Sequence, residues 1–184
     1  MAITSGKYKI GPEDGRLVML TTRKGAAAAM GHDLTIEAKS WSGTVVVDTD
    51  DPSNSSVSIS IDTSSLFVAS GKGGAKALSD GDKAKIKASM DDVLKTRTNS
   101  TMTFESSSVS ANGTDSAKVD GTLTVVGKSG PASVNVTIDD SGRAKAKATI
   151  TQSNFGIKPF SAMMGALKLA DDVGLEVDAA LQPS

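Results

Sequence analysis

Cysteine is absent from the 184 residues, which excludes thiol nucleophiles, cysteine-ligated zinc, iron–sulfur clusters and disulfide staples. Histidine occurs once, at His32, which excludes multi-histidine metal centres and leaves one candidate for an imidazole base. Aromatic residues make up 3% of the chain, too few for a base-stacking surface. The net charge is -1, with 20 Lys and Arg against 21 Asp and Glu, and so lacks the positive field that a phosphate backbone demands. These shortages argue against a nucleic-acid partner. No apolar run approaches the roughly 20 residues of a transmembrane helix. The start, Met1-Ala2-Ile3-Thr4-Ser5-Gly6, lacks the charged-then-apolar pattern of a leader, so the chain reads as cytoplasmic, or as exported with its signal removed. No linker, repeat or charge block divides it, and residues 1–184 read as one domain, long enough to bury about 70% of its unfolded surface without a metal or disulfide.

What is present is alternation. Leu34, Ile36 and Ala38 alternate with polar residues, as do Val57, Ile59 and Ile61, then Met102 and Phe104, then Val119, Leu123 and Val125, then Val134, Val136 and Ile138, and finally Val173 through Leu181. A period of two marks strands with one buried and one wetted face, and the Ser- and Thr-rich wet face suits strands better than helices. Asp14-Gly15, Ser42-Gly43, Asp51-Pro52, Asn112-Gly113, Gly130-Pro131 and Ser141-Gly142 read as turns between successive strands. Closure of such a meander into a barrel removes its exposed edges. The fold class is therefore all-β, an antiparallel barrel.

One segment departs from this pattern. Across Ser79–Lys95, residues Ile86, Met90, Val93 and Leu94 fall on one helical face, with Ser79 as cap and Asp82 three residues on. This principal helix is expected to turn Met90 and Leu94 toward an open end of the barrel. Ser70–Ala75 reads as a flexible glycine loop, and Gly25–Met30 and Ser161–Leu169 as short helical turns.

Candidate chemistry is sparse. His32-Asp33 suggests a base and its orienting carboxylate, but adjacent strand residues point to opposite faces, and a histidine that caps a turn or bonds a backbone carbonyl is the favoured reading. The pairs Asp50-Asp51, Asp91-Asp92, Asp139-Asp140 and Asp171-Asp172 sit in turns or on the helix's polar face, without the facing geometry of glycosidases or the oxygen spacing of a calcium loop. Gly71-Lys72-Gly73-Gly74 misplaces the lysine of a phosphate loop. No serine lies in a Gly-x-Ser-x-Gly elbow. No catalytic, metal or cofactor site is expected. Arg23 and Lys158, with His32, are candidates to meet a polar head group at a cavity mouth. Met163-Met164, after Phe155 and Phe160, suits an adaptable apolar contact or ordinary core filling.

Several motifs in order resemble the YceI-like family. They are Gly31-His32-Asp33-Leu34-Thr35-Ile36 with Trp41-Ser42-Gly43, then Val119-Asp120-Gly121-Thr122-Leu123-Thr124-Val125-Val126-Gly127 with Pro131, then Gln152-Ser153-Asn154-Phe155-Gly156-Ile157-Lys158-Pro159-Phe160 with Asp171-Asp172-Val173. The resemblance implies a lipocalin-like barrel, a long-chain isoprenoid or other lipid as its non-covalent partner, a homodimer, and no catalytic residues. On that reading the tail lies against Leu34, Ile36, Val57, Ile59, Met102, Phe104, Leu123 and Val125, with Met90, Leu94, Phe155, Phe160, Met163 and Leu167 closing one end. Ala146, between Ala144 and Ala148 on one face, leaves room where a packed barrel would be filled. A barrel with a packed interior working through protein contacts, and an enzyme using His32 or a cavity carboxylate, are the alternatives.

Overall fold

Strand after strand forms where the apolar and polar residues alternate. The computed structural model describes residues 3–184. Its strands are β1 (Gly6–Ile10), β2 (Gly15–Leu20), β3 (Arg23–Lys24), β4 (His32–Ala38), β5 (Trp41–Val47), β6 (Ser56–Asp62), β7 (Leu66–Gly73), β8 (Thr101–Ala111), β9 (Ser116–Val125), β10 (Lys128–Ile138), β11 (Arg143–Thr151), β12 (Ser161–Ala162), β13 (Leu167–Leu169), β14 (Asp172–Ala180) and β15 (Gln182–Pro183). Twelve of them form one antiparallel sheet, and β12, β13 and β3 a second, small one.

Register shows how the large sheet curls. β1 pairs with β5 and β2 with β4, so the chain from Gly6 to Leu20 runs as one interrupted stave beside His32–Val47. β4 and β5 in turn pair with β7 and β6, across corners where Asp62 N–H donates to the Ser40 carbonyl and Lys39 N–H to that of Ser65. β14 and β15 pair back onto β2 and β1. Nominal strands therefore join in pairs into long bent staves, and the order returns on itself as a lipocalin-like barrel.

Two places around this ring lack a ladder. β7 pairs with β4 alone and has no strand on its outer side, because β8 returns to β6, from Ser58↔Glu105 to Asp62↔Thr101. Helix α1 (Asp80–Leu94) packs on β7 instead. The second place is between β10 and β11, which pair only from Asn135↔Lys147 to Ile138↔Ala144. Beyond that they part and leave a slit flanked by Pro131, Ala132, Ser133, Ala148 and Thr149. Proline has no amide hydrogen to extend that ladder.

The helix begins where its capping residues predict. Ser79 Oγ accepts from the Asp82 amide at 3.1 Å, and Asp82 Oδ2 accepts from the Ser79 amide at 3.1 Å, a reciprocal capping box. The Ser79 hydroxyl and amide, with Lys76 beyond, hold the Asp82 carboxyl below the usual carboxylate range. The helix ends at Lys95 in the left-handed region.

Asp14-Gly15 completes a turn between β1 and β2, where the Asp14 amide donates to the Gly11 carbonyl at 3.0 Å, but it interrupts a stave without reversing it. Two other expected turns are instead strand interior. Gly43 lies within β5, where a Cβ would come within 2.5 Å of Ile59. Gly130-Pro131 lies within β10, and the reversal before it is made by Val126 and Gly127, both at positive φ, as a two-residue hairpin turn requires. Ser70–Ala75 is not a free loop: β7 continues through Gly73. Ser161–Leu169 contains one short helical turn, Met163–Gly165, between β12 and β13. Ala28–Met30 forms the other expected turn.

Candidate functional site

Inward-facing residues enclose two chambers. The upper, of about 430 Å³, lies under α1 and the small sheet, within the range of ligand pockets, roughly 300–1,000 Å³. The lower, of about 110 Å³, lies deeper in the barrel. Ile61, Met102, Leu123, Ile150 and Leu175 line both, so these five side chains form the partition between them.

The upper chamber receives Leu34 and Ile36 from β4, Met90 and Leu94 from α1, and Val125, Phe160 and Leu167. Val57, Ile59, Phe104 and Ala146 line the lower one, and Met102 and Leu123 line both. Ala144 and Ala148 join Ala146 there. Three residues expected at the chamber lie elsewhere. Phe155 is buried but packs beneath Gly130, 3.3 Å from where a Cβ would stand, because the turn after β11 sends it under β10. Met163 is exposed on the tip of the β12–β13 hairpin. Lys158 is exposed and lines neither chamber.

Met19, Thr21, Ile150 and Ile157 also stand on the upper chamber's wall; Ile150 extends the alternation of Ala144, Ala146 and Ala148, and the sequence pattern does not point to the other three. Leu17-Val18-Met19-Leu20 is an unbroken apolar run, in which period two cannot be read. Thr21 faces inward although polar because its Oγ1 accepts from the Leu34 amide at 3.2 Å, which satisfies the buried hydroxyl.

The upper chamber's polar lining residues are Thr21, Arg23, His32, Lys85, Ser89, Gln152 and Lys168. Some of these groups have internal partners. His32 Nε2 lies 2.8 Å from the Lys76 carbonyl; a carbonyl only accepts, so Nε2 carries the hydrogen and donates. A Cβ on Gly74 would come within 2.3 Å of the same ring, so the glycine lets the imidazole seat against the backbone. Arg23 Nη1 donates to the Gly31 carbonyl at 2.6 Å, its amide donates to Asp33 at 2.8 Å, and its Nε lies 3.8 Å from that carboxylate. A Cβ on Gly73 would meet the guanidinium at 1.9 Å. The glycines of this segment thus receive His32 and Arg23 rather than a phosphate. Gln152 Nε2 donates to the Ala170 carbonyl at 3.0 Å. His32 and Asp33 bond in different directions, as their adjacent places on a strand require. Among the described residues no cluster of His, Asp and Glu has a metal-binding arrangement.

The molecule is thus a barrel with an apolar chamber under a helix and a small capping sheet, and the family model for the YceI-like domain matches residues 8–181. The chain belongs to the YceI-like family. Its barrel is consistent with the binding of a hydrophobic ligand. The fold is shared with solved structures at low identity. BcnA of Burkholderia cenocepacia is 19% identical, with a TM-score of 0.66 over 91% of this chain and 94% of that one. The YCEI protein of Campylobacter jejuni is 16% identical, with a TM-score of 0.56 over 82% of this chain and 85% of its own. A mutant of the latter, solved with a monobromobimane guest, is 15% identical with a TM-score of 0.60 over the same shares. No curated protein matches the chain significantly. Among the described residues no helix is long and apolar enough to cross a membrane.

Proposed function

We propose that this YceI-like protein binds and carries a polyisoprenoid or similar long-chain lipid, without catalysis. The tail enters the upper chamber and reaches toward the lower one past Met102, while the head group stays at the mouth. The observation that carries this reading is the gradient of polarity. The lower chamber is apolar apart from Thr103, and the cationic lining residues Arg23, Lys85 and Lys168, with the imidazole of His32, all belong to the upper one. Arg23 and His32 already bond to backbone carbonyls, so Lys85 and Lys168 are better placed than Lys158 to meet an anionic head group. The same bonding supports a non-catalytic role, because the one imidazole is held by the Lys76 carbonyl and not by a carboxylate. The homodimer implied by the family resemblance belongs to this proposal, and analytical ultracentrifugation checks it.

Magnitude favours carriage over capture. A tail of about 40 carbons gains on the order of 30 kcal/mol on leaving water, at about 0.8 per CH₂, beyond the practical affinity ceiling of roughly 20 kcal/mol. A bilayer offers the tail a similar gain, so transfer between bilayer and barrel is near balance and reversible.

Native mass spectrometry of gently purified protein tests the reading, with a co-purified long-chain lipid as the expected result. The Ala146→Phe variant tests the route. It fills the lower chamber, so affinity for a long fluorescent polyprenyl analogue should fall about tenfold or more, while a short analogue confined to the upper chamber binds as before. Unchanged long-chain binding by a folded variant would remove the lower chamber from the site.

A further inference from the structure

All the exposed large hydrophobic residues among those described are Met30, Phe160, Met163 and Met164, and all four lie on the cap over the barrel end. Met30 ends the turn that packs on β13, where the Ala27 amide donates to the Ala166 carbonyl at 2.8 Å. Phe160 immediately precedes β12, and both residues rim the upper chamber. Met163 and Met164 form the tip of the β12–β13 hairpin, Met163 at 53% exposure and Met164 fully exposed.

Two features of this cap oppose its own stability. Met163 and Met164 both have positive φ, 52° and 58°, a region that glycine and asparagine enter with far less strain than a long side chain. Consecutive left-handed residues turn two apolar side chains outward, where Met163 is only about half covered and Met164 gains no burial. Lys24 and Lys168 stand directly opposite each other in the β3–β13 ladder, a like-charge pairing that destabilises a sheet. Arg23–Gly31 and Ile157–Leu169 together carry Arg23, Lys24, Lys158 and Lys168 and no acidic residue, which leaves 16 basic against 21 acidic residues in the rest of the chain. Asp33, just outside, is engaged by the Arg23 amide.

We propose that the cap docks on a bilayer surface bearing anionic lipids, with Met163, Met164 and Phe160 entering the interface and Lys24, Lys158 and Lys168 meeting the head groups. An apolar tip ringed by basic residues on an otherwise acidic molecule is complementary to that surface. A dimer partner of the same chain would bring the two basic caps face to face and increase the lysine repulsion. Docking also sets the chamber mouth against the membrane. It goes beyond the carriage proposal and is read out without any cargo.

The test is flotation of the full chain with vesicles of phosphatidylcholine alone and with phosphatidylglycerol in equal parts. Binding is expected to the mixed vesicles only, and to weaken as salt rises. Replacing Met163→Asn together with Met164→Asn should lower that binding about tenfold or more while the thermal midpoint stays level or rises, because asparagine relieves the backbone strain. Lys24→Gln should lower it about fivefold. The methionine variant should still take up a polyprenyl analogue delivered from solution, so a failure of docking and a failure of carriage are told apart. No binding to the mixed vesicles, equal binding by the methionine variant, or a dimer that this variant dissolves would overturn the proposal.

Discussion

Gly25, Gly73 and Gly74 all have positive φ, and at each the space for a Cβ is already taken by another part of the cap or mouth. At Gly73 and Gly74 the neighbours are the movable ends of Arg23 and His32. At Gly25 the neighbour is backbone, the Ala166 carbonyl oxygen at 2.3 Å, which ties the first cap segment to the β12–β13 hairpin. Gly25→Ala therefore combines left-handed strain with an immovable clash, and should lower stability by about 2 kcal/mol or more, measured by urea denaturation. It should also loosen the cap, seen as faster proteolysis between Arg23 and Gly31. These roles were not legible in the sequence. Ser70–Ala75 looks like a flexible loop because glycine spacing alone does not disclose a side chain filling the space that each glycine leaves.

Helix α1 was legible to within one residue, because its cap, its apolar spacing and its acidic first turn agree. What it does was only partly legible. None of its residues is fully buried, and Ile86, Met90, Val93 and Leu94 face a chamber rather than a packed layer. Met90→Ala should therefore cost about 1 kcal/mol by denaturant titration, below the roughly 2–5 kcal/mol of a packed methionine, and should widen the upper chamber enough to change which tail analogues bind best. The strands were legible wherever one face is wet. Where the chain bends around a corner, as at Lys39-Ser40, or carries glycine inside a strand, as at Gly43 and Gly130, local pattern and turn chemistry disagree with the tertiary pairing. The pairing wins because each close approach lets a facing side chain, Ile59 or Phe155, pack against bare backbone.

At the scale of the molecule, stability should depend on acid in a defined direction. Asp62 and Asp82 are held low chiefly by the hydroxyls of Ser64 and Ser79, Asp120 and Asp139 by those of Ser133 and Ser141, and Asp48 by the Asp51 amide. Their folded values lie below the unfolded value of 3.8, so the unfolded chain binds more protons as pH falls through that range. The stabilisation is complete well above 3.8, begins to decline as the unfolded carboxyls protonate, and is lost as pH drops through the folded values. The thermal midpoint should be level with respect to these groups above about pH 5 and fall below it, and Asp82→Ala should flatten part of that slope. The barrel as a whole was legible from alternation. The division of its interior was not, since alternation says which residues share a face but not where side-chain volume falls short. The three alanines of β11 were the one local sign of it.

The partial ladder between β10 and β11 gives the barrel a seam. Beyond the four pairs from Asn135 to Ile138, the amide hydrogens of β10 that point away from β9, that of Ser133 among them because it shares its side of the strand with Pro131, have no strand partner across the slit, so they should exchange with solvent deuterium by local fluctuation alone. Those of β9, bonded to strands along both sides, should wait for global opening. One β-sheet would then show two exchange regimes on neighbouring strands, with the fast one bordering the lower chamber at Ala132 and Ala148. A tail lying behind those two small side chains would slow exchange along the seam, which makes the deuteration of β10 a label-free gauge of occupancy.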